Sequence, residues 1–260
     1  MIKREFASGG VIYLGDAEEI LSKLENNLVN LTITSPPYNN KTKYNSYDDN
    51  KPIDFYTKKM HNIFKEIYRI TVDGGRVIIN VPLVSNNDGN IFMLPCIYNN
   101  IMTNIGFIIR DVIIWVKSTQ NSYGYPSTSW GSWCSPSSPN MRSMAELLII
   151  FAKNSIHYKK IDGVSDITPE EFKEYTKNIW FIPQDREKFE HPCPFSVDIT
   201  KRLIKLYSYV DDIVLDPFAG IGTTLVSASD LKRKFIGIEI DKKYYDTMEK
   251  RLIISESKII

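Results

Sequence analysis

Residues 34–39 read Thr-Ser-Pro-Pro-Tyr-Asn and place a hydroxyl, two prolines and an aromatic ring after a short apolar run. That run, residues 28–33, is rich in β-branched side chains and is typical of a buried strand. The prolines keep the backbone extended, and because neither has an N–H, nearby carbonyl groups lack local donors. Ser35 Oγ and the Pro36 carbonyl are therefore expected to form a fixed pair of acceptors beside Tyr38. Such a pair suits an NH2 group on a flat ring. Considered by themselves, these residues are explained equally well by a proline-rich turn after a strand that has no catalytic or binding role.

A second candidate site, residues 216–224, reads Asp-Pro-Phe-Ala-Gly-Ile-Gly-Thr-Thr and follows another apolar run. Glycines at a helix start let a ligand approach the backbone, whose N–H groups point at it. Glu239 ends the next predicted strand, where an acidic residue can accept hydrogen bonds from a ribose diol. No Gly-Lys-Ser/Thr follows, which excludes a phosphate-binding P-loop, and Leu225 in place of a third glycine disfavours NAD. An ordinary strand–helix turn with a surface glutamate is the alternative.

Apolar periodicity predicts that strands alternate with helices along most of the chain. This pattern indicates an α/β fold in which helices cover both faces of a mostly parallel sheet, within a single domain spanning residues 1–260. The glycine pair at 74–75 is expected to end the second helix. The predicted strands are 11–14, 28–33, 76–81, 107–116, 145–151, 213–215 and 234–239, and the predicted helices are 17–24, 54 onwards, 92–103, 196–209, 223 onwards and a final one.

Three polar stretches interrupt this pattern. Residues 39–52 are expected to form a mobile loop. Residues 117–143, rich in Ser, Tyr, Pro, Trp and Asn, are too long for an ordinary connection and are therefore a candidate functional insert. A second insert, residues 154–190, contains a short helix that begins with the capping box Thr168-Pro-Glu-Glu.

Composition limits the function further. The formal net charge of +1 indicates that any surface for a polyanion is a local patch. Three widely spaced cysteines form neither a disulfide framework nor a zinc cluster, and no metal site is expected. No apolar run reaches the roughly 20 residues that a membrane span needs, and the N-terminus lacks a signal-like apolar segment. A reduced cytoplasmic protein is expected.

Together the two motifs resemble those of the S-adenosylmethionine-dependent DNA amino-methyltransferases. Their order, with the Ser-Pro-Pro-Tyr loop about 180 residues before the glycine turn, is similar to that of the circularly permuted β group. Other stretches match in step: Gly15-Asp16, residues 113–117, the Trp-Gly-Ser-Trp of 130–133 and the His-Pro-Cys-Pro-Phe of 191–195. The resemblance covers nearly the whole chain. It implies a Rossmann-like methyltransferase fold whose seven-stranded sheet contains one reversed strand.

The resemblance also implies roles for individual residues. The glycine turn would hold the methionine part of S-adenosylmethionine, Glu239 its ribose and Ile240 its adenine, and Asp16 would meet the adenine amino group. Phe195 would line the methionine end. The implied catalytic residues are Ser35, Pro36, Pro37 and Tyr38, and the implied cofactor residues are Asp16, Phe195, Asp216, Pro217, Phe218, Gly220, Gly222, Thr223, Glu239 and Ile240.

The implied reaction is methylation of an exocyclic amine on a base that leaves the DNA duplex, with Tyr38 stacked on that base. Serine at position 35 resembles the cytosine-N4 enzymes, whereas adenine-N6 enzymes more often have aspartate or asparagine there, so adenine-N6 is the alternative. RNA or protein could also supply the amine. A nicotinamide-dependent oxidoreductase would leave the Ser-Pro-Pro-Tyr loop unexplained, and a non-catalytic DNA-binding relative would bind DNA without transferring a methyl group.

Double-stranded DNA is the expected partner of such an enzyme. Side chains of the inserts can read base edges, and the lysines can contact phosphates. A restriction-modification context, with a separately encoded endonuclease, is implied, as is a prokaryotic, nucleoid-associated protein that is a monomer or a homodimer. The candidate DNA-binding residues are Lys41, Lys43, Gln120, Asn121, Tyr123, Ser129, Trp130 and Arg142.

Overall fold

The computed structural model describes residues 2–87, 90–117, 130–141, 143–183 and 195–257. Its strands are β1 (Ile2–Glu5), β2 (Val11–Leu14), β3 (Val29–Thr34), β4 (Thr71–Pro82), β5 (Ser85–Asn87), β6 (Asn90–Phe92), β7 (Phe107–Val116), β8 (Ala145–Lys153), β9 (Ile179–Phe181), β10 (Ile213–Asp216) and β11 (Lys234–Glu239). Its helices are α1 (Ala17–Leu21), α2 (Ile53–Ile70), α3 (Leu94–Ile105), α4 (Pro169–Tyr175), α5 (Val197–Tyr207), α6 (Thr223–Asp230) and α7 (Lys242–Glu256).

The main sheet has the order β1-β2-β11-β10-β3-β4-β8-β7-β9 in the described part of the chain. From β2 to β4 all neighbours are parallel, and β8 runs antiparallel to both β4 and β7. The predicted seven strands with one reversed member, β8, are therefore confirmed as the sheet from β2 to β7. The expectation missed the two edge strands, β1 and β9, which are only four and three residues long.

Helices pack on both faces of this sheet, as the α/β pattern predicts. One hydrophobic cluster joins α1, α2 and α3 to one face, and a second joins α5, α6 and α7 to the other. Strand β4 shows how one segment serves both clusters: Val77 and Ile79 belong to the first and Ile78 to the second. Alternate side chains of a strand point to opposite faces, so a nearly continuous apolar run is required here.

The glycine pair at 74–75 does not end a helix, so that expectation was wrong. Helix α2 ends at Ile70, and Thr71 is already extended with ψ of 139°. The two glycines lie inside β4, where Gly74 has φ of +74° and a Cβ would lie 2.3 Å from the carbonyl oxygen of His157. The close backbone approach, together with a register shift in the β3–β4 pairing between Val29 and Leu31, explains why glycine is needed within a strand.

The predicted capping box of α4 is confirmed, since Thr168 accepts from the Glu171 N–H while the Glu171 carboxylate accepts from the Thr168 N–H. No helix in the described ranges has the length and apolar character to cross a membrane. The same residues contain no group of three or more His, Cys, Asp or Glu side chains placed to hold a metal ion.

A partly buried ion pair ties the insert before α4 to the sheet. The fully buried guanidinium of Arg233 donates to both carboxylate oxygens of Asp166, at 2.6 and 2.8 Å. It also donates to the carbonyl groups of Ser208 and Leu231. A buried charge that loses its partner is strongly destabilising, so this insert is fastened to the core next to β11.

Asp166→Asn is expected to lower the free energy of unfolding by about 2–3 kcal/mol, because Arg233 keeps its charge but loses its ionic partner. Urea denaturation followed by tryptophan fluorescence measures the change. Asp162→Asn is the control, since Asp162 is exposed with φ of 59°, a conformation that asparagine tolerates. Equal stability of the two variants would show that the Asp166 pair does not anchor the insert.

Candidate active site

One cavity lies where β2, β3, β10 and β11 end, at the carboxyl edge of the sheet. Parallel strands deliver their following loops to the same edge, which is where ligands bind in open α/β sheets. The lining contains all the predicted catalytic and cofactor residues except Pro36 and Gly222. The predicted residues that line it are Asp16, Ser35, Pro37, Tyr38, Phe195, Asp216, Pro217, Phe218, Gly220, Thr223, Glu239 and Ile240.

Gly222 does not line the cavity but packs against helix α7. It precedes α6 with φ of +80°, and a Cβ there would lie 2.6 Å from Cγ of Met248 in α7. Glycine is therefore needed for both the left-handed backbone and the close contact between the two helices. The sequence motif correctly marks the turn, but only Gly220 of the two glycines faces the cavity.

The carboxylate of Asp216 connects the two sequence motifs. It accepts from the Thr34 hydroxyl at 3.0 Å, from the Thr224 hydroxyl at 2.8 Å and from the backbone N–H of Phe218 at 3.2 Å. Burial raises the pKa of Asp216 to about 6, against the opposing effect of these three donors. The end of β3, the end of β10 and the start of α6 are thereby held at one point.

The Glu239 carboxylate occupies the centre of the glycine turn. One oxygen accepts from the Gly220 N–H at 2.7 Å, and the other accepts from the Asp241 N–H at 2.8 Å. Burial raises the pKa of Glu239 to about 7. A carboxylate can accept about four hydrogen bonds, so each oxygen retains capacity for a further donor from a ligand.

The Ser-Pro-Pro-Tyr loop is held by hydrogen bonds to its carbonyl groups. Tyr56 of α2 donates to the Pro37 carbonyl at 2.8 Å, and Ser85 donates to the Tyr38 carbonyl at 2.8 Å. Within the loop, Ser35 Oγ lies 2.5 Å from Tyr38 Oη. Tyr38 is only 7% exposed, so its ring forms part of the cavity wall rather than a free stacking face.

Residues 39–52, expected as a mobile loop, fold around one carboxylate. Asp49 accepts from the backbone N–H groups of Asn39, Asn40 and Thr42 at 2.8, 3.0 and 3.1 Å. Burial raises the pKa of Asp49, in opposition to these donors. The local sequence did not reveal this arrangement. No residue spacing distinguishes an aspartate that accepts hydrogen bonds from the backbone of its own loop from an aspartate that is exposed to solvent.

This loop supplies cavity residues that sequence reasoning missed. Tyr44, Ser46 and Tyr47 line the cavity, and the Ser46 hydroxyl donates to Asp241 at 2.6 Å. Burial raises the pKa of Tyr47 to about 12. Lys59 of α2 was also missed; its ammonium group pairs with Asp16 at 2.8 Å. A lysine on an amphipathic helix gives no signal that its side chain reaches a site formed by other segments.

The candidate DNA-binding residues are only partly described. Lys41 and Lys43 are exposed on the loop that Asp49 organises. Trp130 is 45% exposed and packs edge-on against Trp133, with ring centroids 5.1 Å apart. The remaining candidates, Gln120, Asn121, Tyr123, Ser129 and Arg142, lie outside the described residues.

Comparison with known proteins identifies the type of molecule. The N6/N4 methyltransferase family, described as DNA methylase, matches residues 29–250. The type II methyltransferase M.MjaI of Methanocaldococcus jannaschii is 29% identical over all of this chain and 96% of its own length. The orphan methyltransferase M.BamHII of Bacillus amyloliquefaciens is 31% identical, over 86% of this chain and 88% of its own.

Solved structures agree in fold. TTHA0409 of Thermus thermophilus, complexed with S-adenosyl-L-methionine, has a TM-score of 0.74 and 26% identity, covering 94% of this chain and 93% of its own. The cytosine-N4-specific PvuII DNA methyltransferase has a TM-score of 0.72 and 19% identity, covering 94% of this chain and 86% of its own. At that identity the second likeness concerns the fold alone.

The bridge through Asp216 gives a test of how the two motifs are joined. Thr34→Val removes one donor from a buried carboxylate and is expected to lower the free energy of unfolding by about 1–2 kcal/mol. Thr32→Val is the matched control, because Thr32 is equally buried in β3 but its hydroxyl has no hydrogen-bond partner among the described residues. Urea denaturation compares them; a control that loses as much stability as Thr34→Val would contradict the bridge.

Proposed function

The chain belongs to the N6/N4 family of DNA methylases, and we propose that it methylates the exocyclic N4 of cytosine in double-stranded DNA at a specific sequence. The observation that carries this proposal is the position of Ser35 Oγ, at the carboxyl end of β3 and in the wall of the cavity that the glycine turn completes. This position supports the role of the Ser35 hydroxyl as an acceptor for the amine.

The cofactor is S-adenosylmethionine. The residues present fit it: the buried Glu239 carboxylate has acceptor capacity for two ribose hydroxyls, and Ile240 offers an apolar surface in the lining that a flat adenine ring would cover. Asp16, paired with Lys59, adds an acceptor for the adenine amino group. When bound, the cofactor supplies an electrophilic methyl group on a positively charged sulfur.

The chain's own residues prepare the amine. Its nitrogen lone pair is delocalised into the base ring, so the amine is a poor nucleophile. Ser35 Oγ and the Pro36 carbonyl would accept its two N–H groups and favour tetrahedral geometry, which localises the lone pair. That pair forms the new N–C bond as the C–S bond breaks, the bonding electrons stay on sulfur, and the nitrogen releases one proton to solvent. Positioning and electrostatic complementarity account for most of the rate.

The choice of cytosine rests on serine at position 35. Serine at the first position of this loop resembles the cytosine-N4 enzymes, and adenine N6 is the alternative base for the same mechanism. Tyr38 in the cavity wall would contact the base after it leaves the duplex. The exposed Lys41, Lys43 and Trp130 would contact DNA near the site, with Gln120, Asn121, Tyr123, Ser129 and Arg142 of the insert reading base edges.

A restriction-modification role is part of the proposal. One relative is named a type II methyltransferase and another an orphan methyltransferase. Similar chains therefore offer a precedent both for an enzyme that acts with a restriction endonuclease and for one that acts alone. These two relatives come from an archaeon and a bacterium, which supports a prokaryotic enzyme that acts on DNA in the cytoplasm. A separately encoded endonuclease would share its DNA target.

Methyl transfer from labelled S-adenosylmethionine to unmethylated genomic DNA tests the proposal directly. The DNA is digested, and the modified nucleoside is identified by mass spectrometry. N4-methylcytosine is the expected product. N6-methyladenine would keep the mechanism and overturn the choice of base. Absence of any methylated nucleoside, with S-adenosylhomocysteine still bound, would overturn DNA methylation by this chain.

Ser35→Ala is expected to slow methyl transfer by about 10²–10³-fold, the usual cost of removing one preorganised hydrogen-bonding group from a transition state. Affinity for S-adenosylhomocysteine, measured by isothermal titration calorimetry, should stay within about threefold, since Ser35 acts on the amine. Ser22→Ala, at an exposed hydroxyl that follows α1, is the control. A rate for Ser35→Ala equal to that of the control would remove the serine from the mechanism.

Cofactor affinity should depend on pH through Glu239. Ribose hydroxyls donate to the ionised carboxylate, so cofactor binding favours the charged form of Glu239. The pKa of Glu239 without ligand is about 7, so at a lower pH binding requires Glu239 to release a proton. S-adenosylhomocysteine is therefore expected to bind about tenfold more weakly at pH 6 than at pH 8. Calorimetry at both values, with Glu239→Gln as a variant that cannot titrate, measures this; the same pH dependence in both proteins would assign it to another group.

A further inference from the structure

Behind the Ser-Pro-Pro-Tyr loop, a continuous hydrogen-bonded chain of side chains runs across three neighbouring strands. Tyr38 Oη, which lies 2.5 Å from Ser35 Oγ, accepts from Asn80 Nδ2 at 3.0 Å. The same Nδ2 donates to a Glu146 oxygen at 2.7 Å, and the other Glu146 oxygen accepts from Lys117. Asn80 is in β4, Glu146 in β8, and Lys117 directly follows β7.

The chemistry of these groups fixes how Asn80 is oriented. The Lys117 ammonium can only donate and the Glu146 carboxylate can only accept, so the amide must turn its NH2 group toward Glu146. The second hydrogen of that NH2 group then points at Tyr38 Oη. A flipped amide would place its carbonyl oxygen against the carboxylate, which is repulsive. Glu146 therefore decides that Tyr38 receives a donor.

These side chains are buried, and their burial costs stability. Asn80 is 2% exposed, and the side chains of Lys117 and Glu146 are about nine-tenths buried. The Lys117 ammonium also lies 5.1 Å from the centre of the Trp115 ring. The Asn80 carbonyl oxygen is buried without a hydrogen-bond partner in the described residues, so this amide contributes through its donors while its acceptor is a cost. An apolar residue at this position would avoid that cost.

We propose that Asn80, oriented by the Glu146–Lys117 pair, is a positioning residue that holds the Tyr38 hydroxyl and thereby the Ser35 hydroxyl for methyl transfer. The inference rests on the proposed function, because it gives Ser35 Oγ the role of amine acceptor. Asn80 is assigned a role in the reaction because the series of hydrogen bonds that contains it ends at the Ser35 hydroxyl. Four side chains from separate segments are linked in series, and the last of them, Tyr38, contacts the hydroxyl whose position in the cavity wall governs how it meets the amine.

A double-mutant cycle with Tyr38→Phe tests the inference. Single-turnover transfer to DNA should slow by about 10–100-fold in Asn80→Ala and comparably in Tyr38→Phe, which keeps the ring. The double variant should be no slower than the slower single variant, because Asn80 acts through the Tyr38 hydroxyl. KM for DNA and affinity for S-adenosylhomocysteine should stay within about threefold, so the loss falls on the rate of the chemical step.

Asn80→Asp is the second variant if Asn80→Ala folds poorly. It keeps the shape of the side chain, and any proton that it holds is shared with Glu146, so it offers Tyr38 no donor. The same slowing is expected. Tyr158→Phe is the matched control for a lost tyrosine hydroxyl: Tyr158 accepts from Asn30 at 2.7 Å and donates to Asp212, which pairs with Lys160, at the opposite edge of the sheet. Its transfer rate should equal that of the wild type.

The outcomes separate the two proposals. An active wild type with Asn80→Ala and Asn80→Asp at its rate overturns the inference and leaves the proposed function intact. Losses that multiply in the double variant overturn it as well, since Asn80 would then act by a route other than Tyr38. A folded, cofactor-binding wild type that methylates no DNA overturns the proposed function, and the role of Asn80 with it.

Discussion

The site depends on the hydrogen bonds that the buried Asp216 carboxylate accepts. It receives donors from Thr34 at the end of β3 and from Thr224 in the first turn of α6. Ser35 is the next residue after Thr34, and Gly220 lies in the turn that Asp216 begins. The Ser-Pro-Pro-Tyr loop and the glycine turn, about 180 residues apart in the chain, are thus fixed to a single buried carboxylate. Rotation of either loop would remove a hydrogen bond from a buried carboxylate, which is costly.

The charge in the cavity complements the ligand that the family binds. Its described lining contains the carboxylates of Asp16, Asp216, Glu239 and Asp241, with Lys59 as a basic partner of the first. Burial raises the pKa values of Asp216 and Glu239 to about 6 and about 7, so backbone and hydroxyl donors alone do not fully compensate their charge. A positively charged ligand in the cavity would lower both values and be attracted in return. The product, with a neutral sulfur, loses part of that attraction.

Sequence patterns predicted those parts of the site that are local. A strand followed by a loop of fixed composition is visible in the chain, and it singled out Ser35, Tyr38, Gly220 and Glu239, which the structure brings together in one cavity. Sequence patterns failed where a contact with a distant segment of the chain decides a residue's role. The role of Gly74 depends on the carbonyl of His157, and that of Gly222 on Met248 of α7. Lys59 and the Asp49-centred loop were missed for the same reason: their partners are set by packing, and a solvated lysine or aspartate looks identical in sequence.

The reversed strand β8 has a specific consequence for the site. Parallel strands bring their last residues to the carboxyl edge of the sheet, whereas an antiparallel neighbour brings its first. Glu146, the second residue of β8, therefore lies beside Pro82 of β4 and Trp115 of β7, at the same edge as Ser35. A parallel strand in this place would end, rather than begin, beside the Ser-Pro-Pro-Tyr loop. The antiparallel direction lets the Glu146 carboxylate, near the start of β8, accept from Asn80 of β4.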